Sequence, residues 1–279
     1  LYRWLITVSD GELTASAEVK LNIVPAPPVF NANEDSDGDG VDDSNEGNGD
    51  EDSDGVPDYL DAIEAPNVLQ EKRGNSKQFV IEAEPGVSLS LGAVAFQSGE
   101  GQAQVSDDEI GETGAEMDED FFVYDGGIFD FNVDELPVAG QSVSIVVPQL
   151  VSIPGNAVYR KLMPTGWFDF VEDANNAIAS ASGQEGYCPP PGDDAYVAGL
   201  TEGHWCVELS IEDGGPNDAD GVANNAVEDP GGVAQKLSRD IDVNVSSSGS
   251  GAISPLLLGI LGIYAGLCLR TFRKKGANS

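Results

Sequence analysis

Residues 35–61 read DSDGDGVDDSNEGNGDEDSDGVPDYLD and contain one acidic pattern twice. In each copy acidic residues stand at positions 1, 3, 5, 9 and 12, with glycine at 6 and valine at 7. Carboxylates at 1, 3 and 5 can converge on one ion, glycine permits the sharp turn, and position 7 offers its carbonyl. The predicted calcium ligands are Asp35, Asp37, Asp39, Val41, Asp43, Glu46, Asp50, Asp52, Asp54, Val56, Asp58 and Asp61. The alternative interpretation is a solvated acidic linker.

The charge of the chain is distributed very unevenly. The 279 residues carry a net charge of -36, and all 49 acidic residues precede residue 251, whereas four of the 13 basic residues follow it. Such an acidic body repels phosphate backbones, so we expect no nucleic-acid partner. It suits calcium, a salty exterior, or both. A hydrophobic content of 40% and clear strand patterns argue against disorder for most of the chain.

Residues 1–24 read as a β-hairpin. Two alternating runs, Arg3–Val8 and Ala15–Val24, flank the turn sequence SDGE. Two strands alone are too few for stability, and the chain begins without Met or a signal peptide. We therefore expect the C-terminal part of a longer exported protein. The turn VSDGELTAS resembles the last strands of bacterial immunoglobulin-like or cadherin-like repeats.

The acidic stretch, with the PAPP linker before it, is interpreted as a separate segment, 25–65. DSDGDGVDD and DSDGVPDYLD resemble the thrombospondin type 3 repeats of bacterial surface proteins, and this resemblance implies calcium held by the acidic positions named above. The match departs at 45–49, which is longer and glycine-rich. It departs also at Asp61, where a shorter acid replaces glutamate at position 12.

Residues 78–245 are predicted to form an antiparallel β-sandwich, because many short apolar strands are separated by turn residues. The predicted strands are Phe79–Ile81, Val87–Phe96, Phe121–Tyr124, Ile128–Val133, Ser142–Val147, Ala157–Leu162, Trp167–Val171 and Trp205–Ile211. The Gly-rich, acidic segment 97–120 is expected to be a mobile loop, and no amphipathic helix of usual length is apparent.

This segment resembles the choice-of-anchor domains of bacterial surface proteins, in particular the U type. The resemblance is carried by AVYRKLMPTGWFDF, CPPPGDDAY, GLTEGHWCVELSIEDGGPNDADGVANN and VEDPGGVA. It implies a place next to a C-terminal sorting signal and no particular reaction.

The C-terminus is predicted to hold a membrane helix. A Gly/Ser linker, 246–251, precedes 18 uncharged residues, 252–269, and a basic tail, 270–279. As a helix, 18 residues reach about 27 Å, enough for a thin hydrocarbon core, and the basic cluster predicts a cytoplasmic C-terminus. This arrangement resembles the GlyGly-CTERM sorting signal of Gram-negative bacteria. The resemblance implies processing near Gly249 and Gly251 by a rhomboid-type protease and transfer to the cell surface; a permanent single-pass anchor is the alternative.

Two further sites are predicted in the sandwich segment. Cys188 and Cys206 are expected to form a disulfide in an exported domain, since the third cysteine, Cys268, lies in the apolar run. A third cation site is predicted at Asp218, Asp220 and Asn224, with Asp213 or Asp229 supplying the missing ligands. An Asp/Gly-rich turn in which carboxylates accept backbone N–H groups is the alternative.

No catalytic constellation is recognisable. His204 is the single histidine, and no GxSxG, P-loop or GxGxxG motif accompanies it. The sequence therefore predicts a mainly β, non-enzymatic protein: an antiparallel β-sandwich preceded by calcium-binding loops and a β-hairpin, and followed by one transmembrane helix. The predicted function is a calcium-stabilised stalk and anchor of an exported surface protein. The alternatives are an adhesin-type ligand- or glycan-binding module and the non-catalytic C-terminal part of a secreted hydrolase.

Overall fold

The computed structural model of the chain describes residues 2–9, 11, 13–21, 28–72, 78–112 and 122–236. All of them belong to the compact unit Leu1–Ser238. The predicted linker 246–251, membrane helix 252–269 and basic tail 270–279, with Gly249 and Gly251, lie outside the described residues and stay predictions. No helix within the described ranges is long and apolar enough to cross a membrane.

The chain begins with an antiparallel hairpin of strands β1 (Tyr2–Ser9) and β2 (Thr14–Leu21). Its register runs from Tyr2 opposite Leu21 to Ser9 opposite Thr14, and it forms a two-stranded sheet of its own. The hairpin predicted from the alternating pattern is therefore confirmed. Its membership of an immunoglobulin-like repeat stays a prediction.

Thirteen more strands and three short helices follow among the described residues. The strands are β3 (Val68–Gln70), β4 (Val80–Ala83), β5 (Ser88–Leu91), β6 (Gln104–Val105), β7 (Phe122–Val123), β8 (Ile128–Asp134), β9 (Ser142–Pro148), β10 (Ala157–Met163), β11 (Gly166–Asp169), β12 (Ala177–Ala181), β13 (Val197–Ala198), β14 (Cys206–Glu212) and β15 (Val227–Lys236). The helices are α1 (Asp43–Glu46), α2 (Ala93–Ser98) and α3 (Asp107–Glu112), and a 3-10 turn covers Asp58–Leu60.

These strands form two antiparallel sheets in a sandwich-like arrangement. One sheet has the order β13-β12-β14-β9-β4-β3. The other has the order β11-β10-β15-β8-β5, with β6 also paired to β8 and β7 to β15. All named pairs are antiparallel, so the predicted fold class, mainly β with an antiparallel sandwich, is confirmed at that level.

The core lies where the apolar faces of the two sheets meet. In β14 burial alternates, with Val207, Leu209 and Ile211 fully buried and the intervening polar residues partly exposed. In β8 Phe129 and Phe131 belong to the same hydrophobic core. Alternation of this kind is what a strand with one covered face requires, since successive side chains point to opposite sides of a sheet.

One predicted strand, Val87–Phe96, is wrong in its second half. The structure ends β5 before Gly92 and begins α2 after it. Asp130 on the neighbouring strand explains the change, because its Oδ2 accepts the N–H groups of Val94 at 2.7 Å and Ala95 at 3.1 Å. N–H groups of a first helical turn have no partner within the helix, so a carboxylate that accepts them stabilises the helix.

The predicted mobile loop 97–120 is wrong over its described part. Residues 104–105 form β6 and residues 107–112 form the short helix α3. Ala103 and Ile110 are 0% and 1% exposed, so apolar side chains anchor this acidic segment to the core. Residues 113–120 lie outside the described ranges.

The predicted disulfide is confirmed. Cys188 and Cys206 are bonded across a sequence separation of 18 residues, with their Cα atoms 5.6 Å apart. Cys206 is the first residue of β14, so the bond ties the loop that follows β12 to a central strand of the first sheet. By chain-entropy reasoning a loop of this size contributes about 3 kcal/mol to stability.

Candidate cation-binding loops

The two acidic loops share two internal hydrogen bonds, made by the acids at positions 3 and 5. In the first, Asp37 Oδ1 accepts the Asp39 N–H at 3.0 Å and Asp39 Oδ1 accepts the Val41 N–H at 2.6 Å. In the second, the equivalent bonds go from Asp54 N to Asp52 Oδ1 at 3.3 Å and from Val56 N to Asp54 Oδ1 at 2.6 Å. Each of these carboxylates thus uses one oxygen to shape its own loop and keeps a second oxygen for another partner.

The acids at position 9 close the loops. Asp43 accepts the Ser36 N–H at 2.7 Å and the Ser36 hydroxyl at 2.8 Å, and Asp58 Oδ1 accepts the Glu51 N–H at 2.8 Å. In both loops the bond therefore joins position 9 to position 2. The structure assigns Asp43 and Asp58 at least this structural role, alongside the ligand role that the spacing predicts.

Glycine at position 6 has the backbone conformation that the spacing predicts. Gly40 has φ +103° and Gly55 has φ +94°, values that favour glycine over any residue with a side chain. At Gly55 an added Cβ would also lie 2.9 Å from the ring of Phe96, so this loop passes directly over the sandwich.

The carboxylates converge in three groups. Within each group one carboxylate oxygen per residue lies within 4.8 Å of the others. The groups are Asp35 with Asp37 and Asp39, Asp50 with Asp52 and Asp54, and Asp52 with Asp61 and Glu64. The predicted ligands at positions 1, 3 and 5 are therefore brought together in both loops.

Five carboxylate oxygens at the predicted ligand positions are buried and have no hydrogen-bond partner. They are Asp37 Oδ2, Glu46 Oε2, Asp52 Oδ2, Asp54 Oδ2 and Asp61 Oδ2. Asp54 is 0% exposed and Asp37 4% exposed. A buried carboxylate oxygen without a donor is costly, because transfer out of water is then uncompensated. Five of them lie at predicted ligand positions of a duplicated loop, where a cation could contact them.

The pKa values show an electrostatic conflict: these carboxylates are buried and close together, and both conditions disfavour their ionised forms. Burial raises the pKa of Asp54 to about 9, and the charges of Asp61 and Asp52 add to the rise. Burial also raises the pKa of Asp61 and of Glu46, each to about 7, again with neighbouring carboxylates contributing. A bound dication would remove this conflict, since it neutralises several carboxylates at once.

Glu64 is a candidate ligand that the sequence analysis missed. Its carboxylate lies with those of Asp52 and Asp61, and burial together with the Asp61 charge raises its pKa to about 8. It lies beyond the twelve-residue pattern. The feature of the sequence that could have indicated Glu64 is the aspartate at position 12. Asp61 has a shorter side chain than glutamate and so leaves room for a second acid.

The second loop is packed onto the sandwich. The Leu91 N–H donates to the Asp54 carbonyl at 2.7 Å, which joins the loop to the end of β5. Val56 and Leu60 are 1% and 3% exposed and belong to the same hydrophobic core as the sheets. The loop is therefore part of the folded domain in addition to being a connection between domains.

The third predicted site has a different geometry. All six carboxylate oxygens of Asp213, Asp218 and Asp220 accept N–H groups; the donors are Gly140, Gly214, Val222, Asn224, Asn225 and Glu228. None of the acidic groups that converge among the described residues includes 213–224. The structure thus favours the hydrogen-bonded turn, and a cation at Asn224 and its neighbours stays an untested prediction.

His204 has an ordinary hydrogen bond. Its Nδ1 lies 3.1 Å from the Ser180 hydroxyl, which also accepts the Thr201 N–H at 3.0 Å. This hydroxyl donates in turn to the Gly199 carbonyl at 2.7 Å, so the network is a loop contact beside β12. The prediction that the chain is not an enzyme stays a prediction.

No known protein family matches this chain, and searches of curated proteins and of solved structures find none that is significantly similar.

Proposed function

We propose that the loops at 35–61, with Glu64, bind calcium, and that the chain is a calcium-stabilised stalk and anchoring region of an exported bacterial surface protein. The observation that carries the proposal is the set of five buried, unpartnered carboxylate oxygens at predicted ligand positions of the two loops. Cation binding would supply their partners and neutralise part of a very acidic segment.

Calcium is the cation that the donor set fits best. The converging side chains are carboxylates, with no histidine or cysteine among them. Carboxylate and carbonyl oxygens are ligands of hard cations, whereas zinc prefers nitrogen and sulfur. Calcium accepts six to eight oxygens in a flexible arrangement, whereas magnesium requires a tight octahedron. A crowded set of four or five carboxylates around the second loop suits the larger ion.

The role proposed for the ion is structural. A calcium sensor exposes a groove by moving a pair of helices. Here α1 has four residues, and the second loop contributes Val56 and Leu60 to a fixed core. An ion held by Asp52, Asp54 and Asp61 would therefore fasten this loop to the sandwich.

The proposed location is the exterior of a Gram-negative cell. The disulfide fits an oxidising compartment, and extracellular calcium modules work at about 10⁻⁴–10⁻³ M. The tail resemblance adds two partners, the inner membrane and a rhomboid-type sorting protease, with the C-terminus in the cytoplasm before processing. These parts of the proposal rest on the sequence alone.

Calorimetric titration of the whole 279-residue chain with calcium tests the cation proposal. We expect saturable binding with Kd of about 10⁻⁴–10⁻³ M. Asp54→Asn should weaken it about tenfold or more, because it removes a buried ligand charge. Glu100→Gln, a change to an exposed acid outside the loops, is the matched control. Absence of binding heat at about 10 mM calcium would refute the proposal.

The alternative of ligand binding by the sandwich has one observation in its favour. A cavity of about 430 Å³ lies on the second sheet beside α2. Its lining includes Asp130, Asn132, Leu162, Met163, Glu228 and Pro230. Carboxylate and amide groups beside apolar side chains can hold a sugar. Binding of the whole chain to defined glycans on an array would favour this function, and a blank array would favour the structural role.

A further inference from the structure

An amine and a carboxyl group are enclosed together in the core of the sandwich. Lys161 on β10 donates a hydrogen bond from Nζ to Asp229 Oδ1 on the adjacent strand β15. Their side chains are 1% and 0% exposed, so water reaches neither. The second oxygen of Asp229, Oδ2, has no hydrogen-bond partner.

The register of the two strands brings these groups into contact. Lys161 lies opposite Gly231, and Asp229 is two residues further along the same face of β15. Because Gly231 has no side chain, the Lys161 side chain can cross over it to its diagonal neighbour. An added Cβ at Gly231 would lie 3.3 Å from Asp229 Oδ1 and 3.0 Å from Tyr159 Cε1, so the glycine keeps this passage open.

The surroundings disfavour the charged forms. Burial lowers the pKa of Lys161 and raises the pKa of Asp229, although each partner partly offsets the effect on the other. A buried ion pair gains little over a neutral amine and a neutral acid, because both charges lose their hydration. The neutral forms are the reactive ones: a free amine is a nucleophile, and a protonated carboxyl group can lose its hydroxyl as water.

Two further polar groups without a hydrogen-bond partner belong to this region. The Tyr159 hydroxyl and both oxygens of Glu71 are buried and unpartnered. Burial raises the pKa of the Tyr159 hydroxyl, and the charges of Asp229 and Glu71 add to the rise, so both carboxyl groups lie near it. Burial also raises the pKa of Glu71 well above its ordinary value. The Lys161–Asp229 pair thus lies in an apolar core beside the Tyr159 hydroxyl.

We propose that Lys161 and Asp229 condense to an intramolecular amide that links β10 covalently to β15. The Lys161 nitrogen attacks Cγ of Asp229, forming the C–N bond. The C–Oδ2 bond breaks, and Oδ2 leaves as water with its own proton and one proton from the nitrogen. The amide keeps one N–H, and no oxidant, reductant or cofactor is needed.

The fold supplies what this reaction lacks in solution. A fixed contact replaces a bimolecular encounter, and effective molarities of about 10⁵–10⁸ M are known for well-aligned groups. Exclusion of water also disfavours hydrolysis of the product. The amide has no charge to bury, so the reaction removes the two buried ionisable groups.

Mass spectrometry of the whole purified chain, after reduction of the disulfide, tests the proposal. We expect the mass to fall below the sequence mass by one water molecule. Trypsin should then fail to cleave after Lys161 and should release 161–236 as a peptide that has lost water, since no Lys or Arg lies between Lys161 and Lys236. Full mass together with complete cleavage after Lys161 would overturn the proposal.

Two variants locate the bond. Lys161→Arg keeps a cation but its guanidinium stays protonated, so it should show the full mass. Asp229→Asn should reach the same product as the unchanged chain by releasing ammonia in place of water. Loss of water in Lys161→Arg would place the dehydration elsewhere and would also contradict the proposal. Neither variant alters the calcium loops, so failure here is distinguishable from failure of the calcium proposal.

Discussion

Removal of calcium with EDTA is expected to lower the Tm of the chain by on the order of 10 °C relative to a saturating calcium concentration. A ligand that binds only the folded state contributes about 2.7 kcal/mol per site at 100 times its Kd. Two sites therefore contribute about 5 kcal/mol, and a domain of this size shifts by about 2–4 °C per kcal/mol. The measurement is thermal unfolding followed by circular dichroism.

The expected loss of stability without calcium affects the whole domain, because the second loop contributes to its hydrophobic core. Val56 and Leu60 lie in the hydrophobic core, and the Asp54 carbonyl accepts the N–H at the end of β5. Repulsion that opens this loop without cations would expose these contacts. A loop that merely connected two domains would lose its own order without changing the Tm of the sandwich.

Asp54→Asn provides the matched variant for this experiment. It should be less stable than the unchanged chain in calcium and more stable in EDTA, because the amide cannot ionise. Burial raises the pKa of Asp54 to about 9 without a cation, so its contribution to stability is complete below about pH 4 and is lost as the pH rises through about 9. The advantage of the variant in EDTA should therefore grow with pH over that interval. Equal Tm values in calcium and EDTA would contradict the prediction.

Glu71→Gln is expected to flatten the pH dependence of stability. Glu71 follows β3, is 0% exposed, and has no hydrogen-bond partner at either carboxylate oxygen. Burial raises its folded-state pKa well above 4.5. Its contribution to stability is therefore complete below the unfolded pKa and is lost above it, by about 1.4 kcal/mol per pH unit until the folded pKa is reached.

Urea unfolding between pH 5 and 8 in saturating calcium measures this effect. The unfolding free energy of Glu71→Gln relative to the unchanged chain should rise with pH, by up to about 1.4 kcal/mol per pH unit below the folded-state pKa of Glu71. The buried amide adds a cost that is independent of pH, so the slope is the diagnostic quantity. Glu172→Gln, at an exposed site, should keep the original slope. An unchanged slope in Glu71→Gln would show that Glu71 ionises normally.

The sequence predicted the loops well because their geometry is local. Asp37, Asp39 and their counterparts shape the backbone through hydrogen bonds to residues two positions away. Such bonds depend on spacing alone. Glu64 was not predicted as a ligand, because its position depends on the path of the chain after Asp61. That path is set by contacts with the sandwich.

The longest strand of the sandwich, β15, escaped prediction for a related reason. Its sequence VEDPGGVAQK contains a proline and two glycines, which argue against a central strand. Yet Pro230 lies in register opposite Asp130, and Gly232 lies so near Gly127 that an added Cβ would meet its carbonyl oxygen. Small residues are required here for two reasons: neighbouring backbones approach closely, and the Lys161 side chain passes over Gly231. Neither requirement can be read from the sequence pattern.

The central place of β15 has a mechanical consequence. Residues 227–231 of this strand pair with β8 on one side, and residues 231–235 pair with β10 on the other. A pull at Lys236 along the strand axis would load both rows of hydrogen bonds in shear, so that many must break together. A hairpin at a sheet edge would instead unzip one bond at a time. The sandwich would therefore meet a pull applied at Lys236 with a strand that is hydrogen-bonded on both sides.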